Sequence, residues 1–169
     1  GKEDLQATSD ALIDRQLELL KDATDAEVVF QPSDPEANDT YAADSAVVDL
    51  AWTLGHVVVH ATASSEEGAA VALTLARGIE TKERSRYETP WETVTTIAQV
   101  RARLEESRRM RNAMFDAWPD APNLEITQDY IPRFGPMNAI ARCTLGLWHE
   151  QGHVNQIEEI LRQASAAAA

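Results

Sequence analysis

The chain holds four histidines, and all of them fall in two pairs at helical spacing, His56 with His60 and His149 with His153. Residues four apart on an α-helix share a face, one turn above the other. Each pair can therefore aim two imidazoles at one point, and imidazole is a common ligand of Zn²⁺, Ni²⁺ and related ions. If the helices that carry the pairs pack together, one divalent metal site draws on both. Three nitrogen ligands with an open position make a catalytic pattern, whereas four filled positions make a structural one.

The second pair also reads His149-Glu150-Gln151-Gly152-His153, the H-E-x-x-H pattern of zinc metalloproteases, in which the Glu acts as general base. The surroundings oppose a protease. Sixteen residues follow His153 and none is His, while Glu158 and Glu159 lie too near on the same helix to swing back to the ion. A third ligand has to come from upstream. Glu150 remains the candidate catalytic base.

These residues need long helices to position them. Leu5, Leu12, Ile13, Leu19 and Leu20 form a helical stripe within residues 3–23. A polar, Pro-containing loop from Thr24 to Asp44 follows, long for a compact domain. The next helix is expected between about Ser45 and Arg77, closed by Gly78, although Thr53 can instead be the cap that starts it. Its run Val57-Val58-Val59 suits a strand by propensity alone, but the Ala-rich flanks and the His pair favour a helix. A charged connection, Glu80 to Pro90, leads to a third helix, introduced by a Thr96-Ile-Ala-Gln99 capping box. Ile97, Val100, Leu104, Met114 and Trp118 are its expected core face, and Pro119 marks its end. The cluster Arg101 to Arg111, interleaved with Glu105 and Glu106, reads as a salt-bridged solvent face. After a loop from Asp120 to Gly135, the last helix is expected from about Pro136 to Ala164. With no clear strand and no internal repeat, the pattern predicts an all-α four-helix bundle forming one domain over 1–169.

Composition limits the function classes. A net charge of −13 argues against a nucleic-acid partner, because such binding depends on Lys and Arg neutralising phosphates. No apolar run reaches the ~18–20 residues of a membrane helix, so no membrane partner is expected. One cysteine, Cys143, permits no internal disulfide and suits a reducing compartment. Together with a polar N-terminal stretch, this predicts a cytoplasmic protein.

Two segments carry a family resemblance. Trp52-Thr-Leu-Gly-His-Val-Val-Val-His60, followed by a long helix, resembles the first metal-histidine segment of the DinB/YfiT-like superfamily. Trp148-His-Glu-Gln-Gly-His153-Val-Asn-Gln156-Ile is similar to that superfamily's last-helix pattern, H-x-x-x-H followed by x-x-Q. With the helix order, the resemblance covers nearly the whole chain. It implies a divalent metal, zinc or nickel, held by His60, His149 and His153 with water in open positions. His56 stays open between a fourth ligand, a support for the ligands and a surface residue. Gln156 can orient a ligand or a water, or be a helix-surface amide.

The resemblance further implies an activity. Relatives include enzymes that transfer bacillithiol or mycothiol onto electrophiles, so a transferase using a low-molecular-weight thiol is the leading expectation. Its partners would be a small-molecule thiol, an electrophile and a second copy in a homodimer, with Glu150 as base. A metal-dependent hydrolase and a non-catalytic metal-binding stress-response protein are the alternatives. Glu67, seven residues after His60, reads as a support for the site or as solvated. Cys143 reads as a small buried hydrophobe. Tyr130 and Arg133 are weak candidates to contact an anionic substrate, and the four tryptophans read as core anchors. Gly152 reads as a point of close helix contact.

Overall fold

The computed structural model describes residues 1–39, 48–81, 87–129 and 131–168. Among the described residues the chain forms an all-α bundle of four long helices, with short helices and a short strand pair in the stretches between them. Helix α1 (Lys2–Leu19) buries Leu5, Ser9, Leu12, Ile13 and Gln16, the spacing of one helical face. A short helix, α2 (Asp25–Val28), follows inside the stretch expected to be loop. The Glu27 carboxylate accepts the Thr24 N–H (2.7 Å), a capping contact that the Thr24-x-x-Glu27 spacing encodes.

Helix α3 (Leu54–Ala76) starts nine residues later than the Ser45 boundary, at the alternative cap. Thr53 is extended and its hydroxyl accepts the His56 N–H (3.3 Å), so the first turn is closed there. Residues 45–47 of the expected helix lie outside the described residues. Val57, Val58 and Val59 are helical despite their β-branching, because all three are fully enclosed by neighbouring helices. The helix ends as expected at Gly78, whose φ of +79° suits the left-handed position past a C-cap. The Gly78 N–H reaches the Leu75 carbonyl (2.9 Å) and the Ile79 N–H reaches that of Thr74 (3.2 Å), the paired bonds of a Schellman motif.

Helix α4 (Ile97–Asp116) has the expected capping box, with Gln99 accepting the Thr96 N–H (3.0 Å). Its inner face is Val100, Leu104, Ser107, Arg111 and Phe115. Arg108 and Arg109 do form the expected solvent-side pairs with Glu105 and Glu106. Arg111 does not belong to that face, for it is fully buried. Arg101 donates to the carbonyls of Leu20 and Lys21, meeting the negative end of α1. In a two-residue antiparallel ladder, β1 (Gln128–Asp129) from the expected loop pairs with β2 (Pro136–Met137), which occupies the beginning of what was expected to be the last helix. Helix α5 (Ala139–Ala167) therefore starts at Asn138, whose side chain accepts the Ala141 N–H (3.1 Å).

The core has two apolar parts. One gathers Leu5 and Leu12 of α1 with the end of α3, the end of α4 and the start of α5. The other gathers Ile13 and Leu20 with the starts of α3 and α4 and with Ile157 and Ile160 of α5. Helices α1 and α5 thus run one way and α3 and α4 the other. Between the apolar parts lies a buried polar layer of Gln16, Ser65, Arg111 and Glu150. Helix α3 packs against α5 along most of its length, and these two helices carry the histidines. None of the described helices is long and apolar enough to cross a membrane.

Candidate metal centre

The antiparallel packing of α3 on α5 sets His60 opposite His149 and His153. One ring nitrogen from each lies within 4.8 Å of those of the other two. The imidazole centroids are 5.2 Å apart for His60 and His149, 5.1 Å for His60 and His153, and 4.6 Å for His149 and His153. Nε2 of His149 lies 3.4 Å from Nε2 of His153. A tetrahedral ion about 2.0–2.1 Å from each nitrogen sets those nitrogens about 3.3–3.4 Å apart. The His149–His153 pair has that separation, and the three donors together could hold a metal ion. All three rings are half-buried, so the point they share can be reached from outside.

Two further side chains lie against the donors. The Gln156 side-chain oxygen lies 2.8 Å from Nδ1 of His153. An amide oxygen can only accept, so the contact favours the tautomer with the proton on Nδ1 and the Nε2 lone pair turned to the other histidines. Glu88 places a carboxylate oxygen 3.6 Å from Nδ1 of His60. Contacts of this kind hold ring orientation and raise ligand basicity. Gln156 was legible in its i, i+3 spacing from His153. Glu88 carried no such signal, because only the fold brings a loop residue 28 positions on back to His60.

His56 is not in this cluster. It is stacked between two indoles, 4.3 Å from Trp52 and 4.9 Å from Trp91 between centroids, with interplanar angles of 24° and 7°. Burial pushes its pKa down to about 4, so the ring is neutral near pH 7. Trp52 also lies over His60 (4.5 Å) and His153 (5.8 Å), so it covers the histidines while packing against the apolar core as expected. Trp118 is a core residue as expected, whereas Trp148 is 61% exposed beside Phe134.

The candidate base, Glu150, is placed elsewhere. Its side chain is fully buried, and both oxygens are engaged. Arg111 donates to it at 2.6 and 3.4 Å, Gln16 at 2.8 Å and Ser65 at 2.7 Å. A carboxylate held in this way has no lone pair turned to the histidines. Glu67 is not solvated, for it is buried with Arg142 at 3.7 Å. Cys143 is the expected buried thiol, its pKa pushed by burial up to about 12. Arg133 is exposed and lies over the Phe134 ring (4.6 Å), and Tyr130 falls outside the described residues. The close helix contact expected at Gly152 occurs at Gly146 instead. A Cβ at Gly152 would meet nothing within 4 Å, but one at Gly146 would come 3.3 Å from the Ser64 carbonyl.

A cleft of about 150 Å³ adjoins the centre. Asp34, Glu36, Asn38 and Asp39 form one side, while Trp52 and Gln156 form the side that touches the histidines.

Fold and site together define a helical bundle with a three-histidine centre set between two antiparallel helices. A model of the DinB superfamily matches residues 9–157, and the chain belongs to that superfamily. The match takes in His60, His149, His153 and Gln156. No curated protein and no solved structure gives a significant match.

Proposed function

We propose that this protein is a divalent-metal-dependent enzyme that transfers a low-molecular-weight thiol onto a small electrophile. The observation that carries the reading is the His60–His149–His153 cluster, three donors at ion-binding separation with a half-buried approach. When bound, the ion supplies Lewis acidity that lowers the pKa of a thiol, or of a water, brought to its open position.

The residues take separate parts. His60, His149 and His153 hold the ion, while Gln156 and Glu88 keep two of those rings turned towards it. Trp52 shields the centre from water on one side, and the adjoining cleft receives the body of a substrate. The attacking sulfur has to come from outside, because Cys143 is buried and kept protonated. Glu150 acts as a brace in the polar layer, so the thiol proton leaves to solvent. With chlorodinitrobenzene as electrophile, the thiolate sulfur forms a C–S bond and the C–Cl bond breaks with release of chloride.

The test is turnover of chlorodinitrobenzene with a small thiol, before and after chelation. A rate that needs both metal and thiol is expected. Activity untouched by chelation, or no turnover by metal-loaded protein across a panel of thiols, would overturn the assignment. Ester cleavage that needs metal but no thiol would replace it with a hydrolase.

A further inference from the structure

We infer that Glu150 is a positioning residue of the metal centre, setting the register of α5 against α3 through Arg111 and Ser65. The inference rests on the reading of the three histidines as an ion site. Glu150 sits between two ligands on α5, one residue after His149 and three before His153. Its carboxylate reaches every other long helix: Gln16 on α1, Ser65 on α3 and Arg111 on α4. Ser65 is five residues after His60, so the tie on α3 lies on the helix that carries the third ligand, little more than one turn further along. The same hydroxyl lies 3.1 Å from the Gly146 carbonyl of α5.

The seam under this tie has little slack. At Gly68 and Gly146 the helices approach so closely that a Cβ on either would sit 3.3–3.4 Å from the other's Cα. A close seam sets the distance between helices, but apolar contact sets their register along the axis poorly. Slipping by one turn shifts a helix about 5.4 Å, more than the 4.8 Å that encloses the three donor nitrogens. Directional bonds to Glu150 are lost in such a slip. A buried ion pair is seldom needed for stability, since well-packed apolar residues often replace it without loss. Its use here is to specify which turn of α5 faces His60.

The test pairs Arg111→Met with Glu150→Leu in one chain and reads folding and Co²⁺ binding separately. The expected variant melts near the parent, binds Co²⁺ about 10- to 100-fold more weakly, and loses the visible absorption intensity of a tetrahedral ion. A folded double variant with parental affinity and spectrum would overturn the inference. If the double variant fails to fold, Ser65→Ala decides, since it leaves the Arg111–Glu150 pair in place. Weaker Co²⁺ binding with an altered spectrum is expected of it, and parental values would overturn the role. A parent that binds no Co²⁺ would instead overturn the metal-centre reading. In that event a crystal structure of the metal-free variant settles register alone. Donor nitrogens spread beyond 4.8 Å support it, and donors left in place refute it.

Discussion

At the residue scale, the orientation of His153 depends on what meets its far nitrogen. The Gln156 side-chain oxygen lies 2.8 Å from Nδ1 of His153, a contact that favours the tautomer offering Nε2 to an ion. Gln156→Ala should weaken metal binding about 10- to 100-fold while leaving the fold intact, as titration calorimetry can measure. Parental affinity in this variant would show that the ring is oriented by packing alone. His56 gives a pH prediction. Its folded pKa, about 4, lies below the usual value of 6.5 because burial between Trp52 and Trp91 disfavours the charged ring. Between pH 6.5 and 4 the unfolded chain takes up a proton that the folded chain refuses. The metal-free protein should therefore lose stability as pH falls through that window. Denaturant midpoints at pH 7 and pH 5 would show the loss, and His56→Phe should reduce it.

At the scale of elements, the α3–α5 seam decides the geometry. Gly146 and Gly152 lie on the same helix within two turns, yet they face different surroundings. Gly146→Ala should destabilise by about 1–3 kcal/mol, because the added methyl meets the α3 backbone. Gly152→Ala should stabilise by up to about 1 kcal/mol, since the position is open and Ala is the better helix former. Urea unfolding of the two variants checks both signs together. Equal effects would mean that the seam is not closely packed.

Much of this arrangement was legible in the chain, and the limit of legibility is sequence distance. Gly78 as a helix stop and the Thr96–Gln99 capping box depend on neighbours three to five residues away, so local pattern suffices. The Thr24–Glu27 box was equally local and shows that a polar loop can hide a helical turn. The approach of His149 to His153 could be read because i, i+4 spacing is itself geometric, whereas the same spacing did not bring His56 into the cluster with His60. Arg111 could not be read. Among the arginines and glutamates of α4 it looks solvated, and its partner Glu150 is 39 residues away. The same distance separates the apparent role of Glu150 in an H-E-x-x-H pattern from its place in a buried pair.

For the whole molecule, the account is of a DinB-superfamily bundle whose α3 and α5 bring three histidines to one point. The two apolar halves of the core supply the cohesion, and the polar layer between them supplies the register. The central claim is that His60, His149 and His153 together hold one divalent ion. Elemental analysis of the purified protein, after reconstitution and desalting, tests it most directly when run beside His60→Ala and His153→Ala. The account predicts about one ion per parent chain and nearly none in either folded variant, as expected when one of three catalytic-type ligands is removed. Parental metal content in both variants would contradict it.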